Sequence, residues 1–413
     1  MKSLPRFTLF SLLLLLPQGV IATAQAPRAI PRTSWDDQKP DPKPDLSTIT
    51  APVEPTAPVE PSSGDSRPSP NAKVPESGQI AADLQSLFDK AQAAQSVLEL
   101  NSVIDRCRNI VGDMTRNVAE RNYAKKLLSW AANRRGERRS DTAGELVASQ
   151  QLENAQALDR AAIDDFRLAI DYDPLRWRAH HNLGVMLAIA EDLPNAISAF
   201  SKTIELNPQF VDAYHNRGEI LFRLENYDAA IADYSKAIEI NDKDAALFSG
   251  RGNTRFALGQ IEAALSDYQS AMSLAPDSAK AATEFADTCQ SLGRWKEAAE
   301  AYQKAIKADP KFTRALQNAA WMMATCPEDF YRNPPTALQT AQRAIDQSNG
   351  YINAHLLHVL AMAHAANGDF SKAITTINQA IELAEEQSLR RELAEHRSLF
   401  QKKKTYLQPS RSP

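Results

Sequence analysis

The chain has 413 residues and a formal net charge of −4, with a pI near 6.0. That excludes the strongly basic balance that general nucleic-acid affinity draws on. Cys107, Cys289 and Cys326 are odd in number and show no CxxC spacing, so they describe neither a disulfide framework nor a thiolate metal site. Free, buried thiols are the expected state, with a Cys289–Cys326 bridge as the alternative.

At the N-terminus, Lys2 and Arg6 precede an apolar run from Leu9 to Leu16, and Ala22-Thr23-Ala24 supplies small residues for cleavage. Residues 1–24 therefore read as a secretory signal peptide, because the run is too short for a hydrocarbon layer of about 30 Å. Cleavage after Ala24 would leave an exported chain without a membrane span, in the bacterial periplasm, envelope or extracellular space. Residues 25–77 hold twelve of the 24 prolines and a doubled Ala-Pro-Val-Glu-Pro. Proline lacks a backbone donor and little else there can be buried, so a disordered proline-rich linker is expected.

Helical periodicity starts near Ile80. Ala81, Leu84, Leu87 and Phe88 share one face, and Val97, Leu100, Val103 and Ile104 a second, with Gly112 as a stop. Residues 78–126 are read as a degenerate helical cap, and Tyr123, Leu127, Leu128 and Trp130 as part of a third helix. Ten Lys/Arg and four acids lie between Asp105 and Arg139. This excess, ending in Arg134, Arg135, Arg138 and Arg139, is either a solvated helix surface or a docking patch for an acidic protein or anionic envelope polymer. No aromatic residues alternate with the arginines, so base stacking is not indicated.

From Trp177 to Phe312 several columns recur every 34 residues. One is Gly184, Gly218, Gly252 and Ala286; a second is Ala196, Ala230, Ala264 and Ala298; a third is Phe200, Tyr234, Tyr268 and Tyr302. Pro208, Pro276 and Pro310 close three units and Asp242 the other. A period of this length marks an array of helical hairpins, here 177–210, 211–244, 245–278 and 279–312. Glycine in mid-helix costs about 1 kcal/mol relative to alanine, so a close contact must offset it. The backbone of the facing helix is the simplest such contact, with the aromatic column filling space between successive hairpins.

These columns resemble the tetratricopeptide repeat. The family pattern appears as Tyr214, Arg217-Gly218, Leu221, Ala230, Tyr234, Ala237 and Asp242, and again as His180, Leu183-Gly184, Leu187, Ala196, Phe200, Thr203 and Pro208. The resemblance implies an all-α, right-handed superhelical solenoid whose first helices (A) line a concave groove for peptides or proteins. The blocks 127–137 and 319–327 are similar to exported bacterial proteins of this layout, whose role is unsettled.

The array extends both ways. Ala162, Phe166, Ala169 and Pro174 continue the columns upstream, but Gly136 precedes Ala162 by 26 residues where other units have 12. The 14 additional residues predict two lengthened helices in the unit 127–176, with a hairpin tip near 139–159. Downstream, 313–353 is a unit with a proline-stiffened loop insertion, 354–387 a last repeat, and 388–406 a capping helix.

No phosphate loop, nucleophile elbow, HExxH or metal-ligand spacing is present, so no catalytic, cofactor or metal residues are assigned and the chain is read as non-catalytic. Helix-A geometry places His181, Val185, His215, Glu219, Phe222, Asn253, Phe256, Asp287, Gln290 and Trp321 on the groove. His181 and His215 hold equivalent places in successive units. Phe222 and Phe256 form a candidate clamp for an apolar peptide side chain. Ser249 stands where a carboxylate-clamping lysine would precede Asn253, which argues against capture of acidic C-terminal tails. His355 and His358, three residues apart, have no obvious carboxylate partner. The expected function is an exported scaffold binding a protein or peptide of unknown identity in its groove.

Overall fold

Alternating small and aromatic columns can be satisfied only if helices pack in pairs, and the computed structural model shows how. It describes residues 82–348 and 350–409; the expected signal peptide and linker lie outside them. Among the described residues there are seventeen α-helices and no strand. They run α1 Ala82–Ala93, α2 Val97–Gly112, α3 Val118–Ala148, α4 Leu152–Tyr172, α5 Trp177–Ile189, α6 Leu193–Leu206, α7 Val211–Arg223, α8 Tyr227–Ile240 and α9 Ala245–Ala257. They continue as α10 Ile261–Leu274, α11 Ala279–Ser291, α12 Trp295–Ala308, α13 Thr313–Thr325, α14 Pro334–Asp346, α15 Ala354–Ala366, α16 Phe370–Leu383 and α17 Gln387–Gln401. Helices adjacent in the chain pack as consecutive hairpins. The helices fall into two compact units that divide between Ile220 and Leu221.

In the first unit, α2 opens with a reciprocal cap: Ser96 Oγ accepts from the Glu99 amide at 3.2 Å, and the Glu99 carboxylate accepts from the Ser96 amide at 2.9 Å. Leu84, Leu100, Ile104, Leu127 and Leu128 close a core beneath α1–α3. Helix α3 already begins at Val118, so residues 118–126 belong to the long helix and not to a separate cap. Asn117, whose side chain accepts from the Glu120 amide at 2.8 Å, sets that start. The long pair has 31 and 21 residues, where the next hairpin has 13 and 14. The insertion is thus absorbed as helix in both arms, and Ala143 and Ala155 stay buried beyond the ordinary repeat length.

The periodic glycines do not face a backbone. A Cβ on Gly184 would lie 2.8 Å from the ring of Phe200, and one on Gly136 would lie 2.7 Å from Phe166. In the second unit, a Cβ on Gly252 would lie 2.8 Å from Tyr268, and one on Gly250, outside the periodic column, 2.5 Å from the ring of Tyr234. The contact expected between backbones is made instead by an aromatic ring, which at Gly136, Gly184 and Gly252 comes from the second helix of the same hairpin. Rings at these places are nearly inaccessible to solvent, and burying one contributes on the order of 2–3 kcal/mol. That offsets the glycine's helix cost.

The second unit holds α8–α17. Tyr268, Phe285, Cys289, Trp295, Tyr302, Met322 and Cys326 form one of its cores, and Leu360, Ile377, Leu389, Leu393 and Phe400 another at the C-terminal end. All three cysteines are free and buried. Burial pushes the Cys107 and Cys289 thiols up to about 12, which makes them poor nucleophiles. Between α13 and α14, Pro334 and Pro335 occupy the first turn of α14, where a missing N–H costs nothing. Helix α17 stops at Gln401, short of the expected 406. Lys403 takes the left-handed conformation (φ 56°), and its amide and that of Lys404 return to the carbonyls of Phe400 and Leu399. The chain leaves the cap extended.

Candidate functional site: the first-helix face and the C-terminal segment

Several residues assigned to the groove are interior. His181 is 1% exposed and Val185 2%. The His181 ring stands edge-on to Phe210 at 4.8 Å and tilted against Phe200 at 5.6 Å. Its Nδ1 donates to Asn182 Oδ1 at 3.4 Å, and its Nε2 accepts from Asn216 at 3.3 Å. Burial lowers its pKa to about 4, so it is a neutral core histidine and does not line a groove with His215. His215 is half-buried and Glu219 exposed. His180 is half-buried, with Nε2 donating to the Pro174 carbonyl at 2.9 Å.

In the second unit, Phe222 and Phe256 are each half-buried, and each ring packs against its own neighbours. The Phe222 ring rests against Tyr227 at 5.8 Å, while Phe256 packs on the core around Tyr268 and Phe285. Asn253 accepts from the Tyr268 hydroxyl at 2.8 Å. Asp287 accepts from Tyr302 and Asn318 and pairs with Arg314 at 2.7 Å. Ser249 donates to the buried Glu284 at 2.8 Å. These polar groups are held by their neighbours in fixed orientations, as a preorganised surface requires.

Gln290 and Trp321 are different, because the chain's own C-terminal segment covers them. The Gln408 amide donates to the Thr325 carbonyl at 2.8 Å, and its side-chain nitrogen donates to Thr325 Oγ1 at 2.7 Å. Gln290 Nε2 donates to Gln408 Oε1 at 3.2 Å, while Gln290 Oε1 lies 2.8 Å from the Tyr302 hydroxyl, whose single proton it shares with Asp287. Two residues earlier, the Tyr406 ring lies 6.1 Å from Trp321 and 4.6 Å from His396. An extended segment therefore crosses the first helices α11 and α13, anchored by one aromatic ring and one amide side chain. Thr325, Tyr406 and Gln408 were not found from the sequence. The segment lies beyond the last repeat, and its partners are 83 and 118 residues away, outside any period.

The candidate basic patch is largely consumed internally. Arg135 Nε donates to Asp165 at 2.9 Å and Arg139 to the other oxygen of the same carboxylate at 2.7 Å, and Asp165 is 2% exposed. Arg138 reaches the Ala94 carbonyl and Gln95. Arg134 remains exposed, 3.5 Å from Glu137. The same lock recurs as Arg251 and Arg255 on Asp267, each at 2.8 Å. The partners are 16 residues apart there and 30 in the long hairpin, the insertion accounting for the difference. The arginines expected to dock a polymer are thus mostly a structural element of the repeat. The signal was present: Asp165, Asp233 and Asp267 stand at multiples of the period.

Paired helices with small-over-aromatic contacts, repeated along the chain, define a helical repeat protein. Tetratricopeptide repeat models match residues 145–209, 211–244, 243–311 and 354–387, and the chain is a tetratricopeptide repeat protein. Among solved structures it is similar to YrrB, described as a TPR protein with an unusual peptide-binding site. The identity is 24%, over 47% of this chain and 96% of that one, with a TM-score of 0.38. It is also similar to a tetratricopeptide repeat protein from Parabacteroides merdae, at 15% identity over 64% of this chain and 98% of that one, with a TM-score of 0.43. Yeast Tom70 matches at 16% identity over 80% of this chain and 66% of its own, with a TM-score of 0.42. No curated protein matches. No described helix is long and apolar enough to cross a membrane.

Proposed function

We propose that this protein is a non-catalytic scaffold that holds an extended segment of a partner protein across the first helices of its repeat hairpins. The observation that carries the reading is the seating of the chain's own segment 404–409 on α11 and α13. Its backbone amide and a glutamine side chain are read by Gln290 and Thr325, and an aromatic ring by Trp321. A surface that satisfies an extended backbone in cis offers the same donors and acceptors to a segment in trans. The cis segment has the advantage of effective concentration, so a partner competes with it or binds where it is absent.

The test uses the chain with residues 404–413 deleted, screened against a displayed peptide library beside the full chain. Peptides with an aromatic residue two places before an amide should be enriched on the deleted form and bind the full chain more weakly. Trp321→Ala or Gln290→Ala, with helicity unchanged, should abolish their binding. Enrichment of nothing, or of peptides indifferent to both substitutions, would end the reading. The proposal also includes export: Lys2, Arg6, the run Leu9–Leu16 and Ala22-Thr23-Ala24 support a cleaved leader. N-terminal sequencing of the mature chain should begin at Gln25, and an intact Met1 would rule export by this route out.

A further inference from the structure

We propose that His358, Glu392 and His396 form a binding site for a borderline divalent metal ion, of the zinc or cobalt class, between α15 and the capping helix α17. The inference rests on one constellation. His358 Nε2 and His396 Nδ1 approach to 2.9 Å, and both residues are 5% exposed. Glu392 precedes His396 by one helical turn, so its carboxylate projects from the same face. One ligand atom from each of the three residues lies within 4.8 Å of the others.

Two further observations point to a cation. Among the described residues, no hydrogen bond or ion pair satisfies the Glu392 carboxylate, although it is half-buried. A divalent ion would neutralise it where no lysine or arginine does. The two ring nitrogens that face each other, His358 Nε2 and His396 Nδ1, are also placed where a single ion could share them. Two imidazoles and a carboxylate are a zinc-type ligand set that leaves a fourth position for water or a further ligand. Trp321, 5.0 Å from His358, and Tyr406, 4.6 Å from His396, wall the site.

Metal–nitrogen bonds of about 2.05 Å in tetrahedral geometry put two imidazole nitrogens about 3.3 Å apart. The rings would therefore separate by a few tenths of an ångström, and the hydrogen bond between them would give way to two coordinate bonds once the donor ring shifts its proton to its other nitrogen. The ion would tie the cap to the last repeat, directly beneath the ring that anchors the C-terminal segment.

Cobalt titration of the full chain at neutral pH, followed by visible absorption, tests this. One Co2+ per chain should bind at micromolar concentration with the strong absorption of a four- or five-coordinate ion, be displaced by Zn2+, and raise the melting temperature. Loss of an outer partner of a metal ligand commonly weakens binding about 10–100-fold, so E392Q and H396Q, which remove ligands, should each weaken it at least that much. His355→Gln, on the neighbouring turn and outside the three, should leave it unchanged. If H396Q does not keep native helicity, E392Q decides, since its side chain is half-exposed and matched in shape. Absence of micromolar binding, or binding that survives E392Q, overturns the proposal, leaving the two histidines as a hydrogen-bonded core pair.

Discussion

At the scale of single residues, the repeat is held by groups that look expendable on a helical wheel. Asp267 is 3% exposed and receives two guanidiniums. Removing one partner of such a pair leaves charge buried without compensation, which costs roughly 3 kcal/mol or more. Asp267→Ala should therefore lower the urea midpoint far more than a surface aspartate such as Asp277. His181 makes a second residue-scale prediction. Its folded pKa, about 4, lies below the ordinary 6.5, so the unfolded chain takes the proton first. The contribution is complete above pH 6.5 and is lost as pH falls from there toward 4, at up to about 1.4 kcal/mol per pH unit. Denaturant titrations across that range should show a shallower dependence for His181→Gln than for the parent; equal slopes would contradict the assignment.

At the scale of elements, the turns between paired helices repeat as regularly as the helices. Glu191, Glu225, Gly259 and Gly293 occupy equivalent turns, and all four have positive φ, near 60° for the glutamates and 72–81° for the glycines. A left-handed backbone costs a side-chain-bearing residue about 1–2 kcal/mol, while glycine gives back part of that through the entropy of the unfolded chain. Glu225→Gly should thus stabilise the protein by roughly 0.5–1 kcal/mol, read as a raised melting temperature with helicity unchanged. A fall would mean that the glutamate's side chain contributes more than its backbone costs. The long α3/α4 hairpin follows another rule: an insertion that keeps small residues such as Ala143 and Ala155 in register extends a buried seam, whereas the proline-containing insertion before α14 can only form a loop.

At the scale of the molecule, within each of the two units helices pack mainly against their neighbours in the chain, so stability is a sum of local terms. Phe400 is fully buried in the C-terminal core, and truncating such a ring costs about 3–5 kcal/mol. Phe400→Ala should raise amide hydrogen exchange in α15–α17 and release the C-terminal segment, while α3–α6 keep their protection. Uniform loss of protection would mean that the array unfolds as a single cooperative body.

The 34-residue columns determined the helical pairs, the glycine and aromatic positions and the family, because periodic packing writes itself into each unit. Even the lengthened hairpin could be derived from the distance between Gly136 and Ala162. Which side chains face outward was less legible: His181 and Val185 occupy first-helix positions like those of Trp321, yet neighbouring rings bury them. The arginine excess looked like a surface patch because composition does not say which charges meet a buried carboxylate. Two features arose from the tertiary structure alone: the seating of Tyr406 and Gln408 on Trp321, Thr325 and Gln290, and the meeting of His358 with Glu392 and His396. Both join segments that no period relates, brought together by the direction in which the chain leaves the last helices.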